Sequence, residues 1–266
     1  MEKEAPEIKE FLNLLDKKTK MVAMLAPSFP IDFQYPEIIG MLKRLGFKYV
    51  AEVARGAVET NKQLLALMKL HPNKRYIASP CPTIVRLIRN KYPNLSSFLT
   101  PIDSPMSAIA KIVSKKYPKY KKVFIGPCIL KKMEAKEDHP KLDILVLTYK
   151  ELKRIFKIKN IHIKKEDKNQ KFDIVGLETR LYSVSGGLAQ SSCLTKNLTD
   201  PEYDVISGPK LAEKMLQRFP TDTSLKILDI LSCPGGCING PGIISKDPLG
   251  ARRKRIIKHW DNGLKK

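Results

Sequence analysis

"RYIASPCPTIVRLIRNKY", residues 75–92, reads as a short strand, a Pro-Cys-Pro corner and an amphipathic helix. Apolar and small residues lead into Cys81, and Pro82 falls in the first helical turn, where its missing N–H costs little. Cys81 therefore stands at the carboxyl end of a strand and the start of a helix, the place where open α/β sheets bind ligands. The same alternation extends outward in both directions. "MVAMLAP" (21–27) reads as a buried strand, "PEIIGMLKRLGF" (36–47) as a helix with apolar residues three and four apart, "KYVAEVA" (48–54) as a strand, and "AVETNKQLLALMKL" (57–70) as a helix that stops at "HPNK". An α/β fold follows.

Each later repetition carries a thiol. "SPMSAIAKIVSKKY" (104–117) is helical, "KKVFIGP" (121–127) is a strand, and Cys128 comes directly after it. "LKILDIL" (225–231) is a further strand, followed by "CPGGCINGPG" (233–242), which holds Cys233 and Cys237. Three strand ends thus deliver thiols to the same relative position, a convergence that packing alone does not explain. Inert buried cysteine is the competing reading. It is adopted here for Cys193 in "AQSSCLTKN", which has no strand before it.

Composition narrows the chemistry. The 266 residues are 42% hydrophobic and 29% charged, ordinary for a soluble globular protein, with no apolar run long enough to span a bilayer. The charged, amphipathic "MEKEAPEIKEFLNLL" lacks the apolar core of a signal peptide, so a cytoplasmic, reducing location is expected. Five widely spaced cysteines argue against a disulfide scaffold and for metal or redox chemistry. A disulfide within "CPGGC" would close a strained ring, whereas an open, amide-rich loop suits thiolates on a cluster. Four thiolates without a ligand histidine suit zinc or a cubane of iron and sulfide. Structural zinc sites use paired cysteine knuckles, and only one such pair exists here, so iron and sulfur are preferred. Amides of Gly235 and Gly236 in "PGGC" and of "INGPG" are expected to hydrogen-bond the sulfides. The net charge of +22 is scattered, as in "KKYPKYKK" and "ARRKRIIK", without a dense arm or aromatics placed to stack on bases. It favours an acidic electron carrier over nucleic acid as partner.

Taken in order, "SPCPTIVRLIRNKYPNL", "SPMSAIA", "GPCILKKMEA", "VSGGLAQ" and "CPGGCINGPG" resemble the catalytic domain of the iron-iron hydrogenase large subunit, from about residue 21 to about residue 245. The resemblance implies two lobes of mostly parallel sheets flanked by helices, with the cluster site between the lobes at strand C-terminal ends. It also implies an N-terminal helical extension at 1–20 and a basic tail or helix at 246–266. By the same resemblance Cys81, Cys128, Cys233 and Cys237 would hold a 4Fe-4S cluster. Cys237 would also bridge to a two-iron subsite carrying carbon monoxide, cyanide and a bridging dithiolate. Lys131 would donate to a cyanide, Pro127 and Ser79 would lie near the subsite, and Gly186 and Gly187 would line its pocket.

Departures from the family pattern are equally informative. Turnover enzymes have a proton-relaying cysteine where this chain has Pro80, which has no ionisable group. The acidic residues of the following proton path reduce to Glu59, and the methionines flanking the subsite appear as Gly126 and Leu231. "SPCP", "GPCILKK" and "INGPG" instead resemble the hydrogen-sensing branch of the family. With four cysteines assigned, Cys193 alone cannot ligate an accessory cluster, so a bare hydrogenase core is expected. Three readings compete: slow hydrogen conversion or sensing with an external electron carrier or signalling partner; a 4Fe-4S protein of electron transfer or cluster handling; and a basic nucleic-acid-binding protein with a structural metal.

Overall fold

The structure, a computed structural model, describes residues 4–194 and 198–264. The ends of the expected flanking segments, 1–3 and 265–266, lie outside the described residues. Strands β1 (Met21–Leu25), β2 (Phe47–Glu52), β4 (Lys121–Gly126) and β5 (Ile144–Thr148) form one sheet in the order β2-β1-β4-β5. A second sheet has the order β3-β7-β6, from β3 (Tyr76–Ile77), β6 (Tyr203–Ser207) and β7 (Ile227–Leu231). Every pairing in both sheets is parallel. A parallel sheet is covered by helices on both faces, which explains why all of β1 is buried and reads as an uninterrupted apolar run.

Helices α1 (Pro6–Asp16), α2 (Glu37–Leu45), α3 (Val53–Leu70), α4 (Pro82–Lys91), α5 (Pro105–Lys116), α6 (Leu130–Met133), α7 (Tyr149–Ile158) and the short α8 (Gly187–Ser191) intervene. Pro209–Arg218 and Leu249–Leu264 supply two more. Their starts follow from local chemistry. Ser104 caps α5 by accepting from the Ser107 amide, with Pro105 at the first turn, and Thr148 and Glu151 form a capping box on α7. Helix α1 packs into the main core through Ile8 and Phe11, the latter ring 5.5 Å from Phe47.

The two sheets have separate cores. Met24, Leu25, Ile125 and Leu147 belong to that of the four-stranded sheet, and Ile77, Leu228, Ile84 and Phe219 to that of the three-stranded one. A third cluster joins Ala57 and Leu64 of α3 to Tyr182, Leu188 and Ile227, so α3 spans between the lobes. The segment 177–183 is tied to the first sheet by the buried pair of Arg180 with Glu52, 2.7 Å apart at the end of β2. The consequence is geometric. The carboxyl ends of β1, β2, β4 and β7 all open onto the same space.

Candidate metal centre

Cys81 is the residue before α4, Cys128 lies two beyond β4, and Cys233 lies two beyond β7. Cys237 opens a single 3-10 turn, Cys237–Asn239. The thiols fall within one another's electrostatic field. Burial pushes the Cys233 thiol up to about 11, and the charges of Cys81 and Cys128 add to the rise. Burial moves Cys237 well above the usual thiol range, reinforced by Cys81, Cys128 and Cys233 and opposed by Lys131. Burial likewise raises Cys128, against which Lys131 and the backbone N–H groups of Leu130 and Lys131 act. Four thiols gathered together, of which Cys128, Cys233 and Cys237 resist ionisation in the bare protein, are a donor set matched to a soft metal group, which deprotonates its ligands outright. Among the described residues, no three His, Cys, Asp or Glu side chains stand close enough to cage one metal ion. A cubane takes one thiolate at each of four corners, and four thiols without a ligand histidine match that donor set.

Behind Cys128 and Cys237 is a cavity of about 80 Å³. Pro80, Pro127, Lys131, Phe124 and Leu231 wall it together with Ser28 beyond β1 and Val53 beyond β2. Lys131 is buried, and its Nζ donates to the Pro80 carbonyl at 3.2 Å, to Ser104 Oγ at 3.1 Å and to Glu134 Oε2 at 2.6 Å. All three ammonium protons thus have protein acceptors. A ligand in the cavity would receive a hydrogen bond from Lys131 only by displacing one of them.

Other expected site residues stand elsewhere. Ser79 is not on the cavity wall: its hydroxyl donates to the Thr100 carbonyl at 2.7 Å. Gly186 and Gly187 do not wall the cavity either. Gly187 opens α8 against the Leu181 carbonyl, 2.1 Å from where a Cβ would sit, so its role is close packing. Two amides of "PGGC" have acceptors within the protein. Gly235 N–H donates to Ser207 Oγ at 3.1 Å and Gly236 N–H to the Cys233 carbonyl at 2.9 Å. In "INGPG", Gly240 N–H goes to Cys237 O and Gly242 N–H to Pro127 O. These hydrogen bonds shape the loop instead. Cys193 is also corrected: it is exposed, in a turn at φ 59° after α8, not buried in a core.

Gly236 has φ 102°, and a Cβ there would come within 2.6 Å of both the Ser183 carbonyl and the Ser185 amide nitrogen. Gly236→Ala combines backbone strain with a clash against main chain. The apoprotein is expected to lose at least about 1–3 kcal/mol in a urea titration. An unchanged midpoint would mean that the loop can rewind at no cost.

Some residues at the cavity are not singled out by the motifs. Asp229, Tyr182 and Ser183 line it, and Glu134 and Ser104 hold Lys131. Asp229 carries a signal that could have exposed it, as the one charge inside the apolar run 227–231. Glu134 has one as well, three residues beyond Lys131 on a helical stretch.

Fold and site together define a parallel α/β protein whose cysteines gather at strand ends beside a mostly apolar cavity. Residues 19–241 match the family described as iron only hydrogenase large subunit, C-terminal domain, and the chain belongs to that family. It is similar to iron hydrogenase 1 of Clostridium pasteurianum, 23% identical over 273 residues, covering 84% of this chain and 48% of that protein. It is also similar to the probable cytosolic Fe-S cluster assembly factor oxy-4 of Caenorhabditis elegans, 21% identical over 298 residues, covering 92% of this chain and 63% of that one. The chain thus spans less than two thirds of either relative. Among solved structures, a glutamate-to-alanine variant of [FeFe]-hydrogenase HydA1 from Chlamydomonas reinhardtii superimposes with TM-score 0.71 at 18% identity, covering 96% of this chain and 88% of that one. An apo cysteine-to-histidine variant of the same enzyme gives TM-score 0.68 at 17% identity, with the same coverage. The likeness extends the two-lobed parallel fold over almost the whole chain.

Proposed function

We propose that this chain is a hydrogenase-type iron-sulfur protein that holds a 4Fe-4S cluster through Cys81, Cys128, Cys233 and Cys237. A two-iron subsite would occupy the cavity behind Cys237, for slow conversion or sensing of hydrogen. The observation that carries the reading is that Cys128 and Cys237 lie at once in the four-thiol group and on the cavity wall. When bound, the paired centres would supply reversible two-electron chemistry on hydrogen. The chain's own contribution is to enclose that site. Pro27, Pro127, Phe124 and Leu231 exclude water, and Lys131 supplies positive charge beside Cys128 and Cys237. Pro80 fills the position from which a relay cysteine would act, which is why turnover is proposed to be slow. The cluster-binding unit is proposed to span 21–245, with the flanking segments as supports. Infrared spectroscopy of protein matured with the subsite tests the reading: bands of metal-bound carbon monoxide and cyanide are expected, and their absence after successful 4Fe-4S reconstitution defeats it.

A second reading has its own support. Lys131 is already saturated by protein acceptors, and a curated relative is named as a probable cluster assembly factor. A 4Fe-4S-only protein in electron transfer or cluster handling would show cluster absorption without those infrared bands.

No helix among the described residues is long and apolar enough to cross a membrane, and a cytoplasmic site of action is proposed. The proposed partner is an acidic electron carrier such as a ferredoxin, attracted by the +22 net charge, with a signalling partner in the sensing variant of the reading. Its reduction of the chain is expected to slow as salt rises. A rate indifferent to ionic strength would remove the electrostatic role from the basic surface.

A further inference from the structure

The cavity lining holds two unlike sets of groups. One is Cys128, Cys237 and Lys131; the other is Asp229, Tyr182 and Ser183, each at least nine-tenths buried. The hydroxyls of Tyr182 and Ser183 have no hydrogen-bond partner among the described residues. The Asp229 carboxyl has one, the Ala189 amide of α8 at 3.4 Å, longer than an ordinary N–H···O bond. Among the described residues no cation pairs with it. A buried carboxyl without a counter-charge has no structural advantage over the apolar residues around it in β7, and costs stability when ionised.

We infer that Asp229, which lines the same cavity as the thiols of Cys128 and Cys237, is its proton-holding group, where Pro80 supplies no relay. The inference rests on the hydrogenase-type reading of the cavity. The carboxylate takes one proton from solvent and gives one to the cavity's occupant; only O–H bonds form and break, and no electrons move. Burial supports the assignment by raising Asp229 to about 6, between a free carboxylate and neutral pH, where a group can both accept and release a proton. The ionisable groups around it do not reverse that. Tyr182 stays protonated, its hydroxyl raised by burial and then by the Asp229 charge. The neighbouring strands place Val205 and Ile77 beside this stretch of β7, and Lys131, Cys128 and Cys237 are the other titratable groups among the described residues that line the cavity.

The test is infrared difference spectroscopy against pH, on protein holding only its 4Fe-4S cluster and on matured protein. In the first sample a protonated-carboxyl stretch is expected to titrate near pH 6, vanish in Asp229→Asn, and return, displaced, in Asp229→Glu. In the second, carbon monoxide and cyanide bands are expected to shift over that same pH range in wild type and to stay fixed in Asp229→Asn. A titrating band that persists in Asp229→Asn, or subsite bands that respond to pH identically in both proteins, overturns the inference. Subsite bands absent altogether would defeat the hydrogenase reading, and with it the occupant, while the first sample still decides whether Asp229 holds the proton.

Discussion

Cys237→Ser is expected to abolish cluster binding. Wild-type protein reconstituted anaerobically should hold about four irons and four sulfides per chain, with the broad visible absorption of a thiolate-bound cubane. The size of the effect follows from the ligand chemistry. Serine is a harder donor than cysteine and loses its proton far less readily, and Cys237 is the thiol whose ionisation burial already opposes most. Lys131 would favour an alkoxide in its place, but burial outweighs it even for the more acidic thiol. Cys233→Ser should behave alike. Cys81→Ser and Cys128→Ser should leave at best a labile, iron-poor cluster. Cys193→Ser serves as the control, because that residue is exposed in a turn beyond α8, away from the three strand ends. Iron content and absorption unchanged in both Cys233→Ser and Cys237→Ser would sink the four-ligand assignment.

The strand-cysteine-helix order was readable because it is local. Parallel strands covered on both faces are continuous apolar runs, and Pro82 and Pro105 mark helix starts by their own stereochemistry. What the sequence concealed is set by distant partners. The amides of Gly235 and Gly242 look available in "CPGGCINGPG", yet Ser207 at the end of β6 and the Pro127 carbonyl beyond β4 take them. Ser79 looks like a site residue until Thr100, 21 positions on, accepts its hydroxyl. Lys131 reads as a free donor, but Ser104 arrives from a different helix start to share its ammonium group. Strand β5 has the same apolar character as its neighbours but no thiol at its end, so motif reading passed over it. In each case the residue type was visible, and the hydrogen-bond partner that decided its role was not.

Pro80→Cys is expected to raise hydrogen evolution by matured protein, with the cluster absorption retained. Pro80 walls the cavity, and its carbonyl accepts from Lys131 at 3.2 Å, an interaction the substitution leaves available. The new thiol would sit next to Cys81 in the chain and supply a proton donor at position 80, where proline offers none. A relay of this kind contributes on the order of a hundredfold or more, but here the acidic path beyond it reduces to Glu59, whose carboxylate is held below its usual range by Arg55. The gain should therefore stay under about a hundredfold. Removing the ring also frees a backbone angle ahead of Cys81, at some expense in stability. Pro80→Ala separates the two effects, since it relaxes the backbone in the same way and adds no proton donor. An equal rise in Pro80→Ala would assign the gain to backbone freedom and not to relay. The double variant Pro80→Cys, Asp229→Asn then ranks the two routes. If Asp229 serves the wild-type cavity, the thiol should rescue the double variant more, as a ratio, than it improves wild type, because it then supplies the only remaining proton donor. Wild type that is already fast, and that Pro80→Cys merely harms, would show that Pro80 closes no necessary proton route and would remove the ground for slow, sensor-like behaviour.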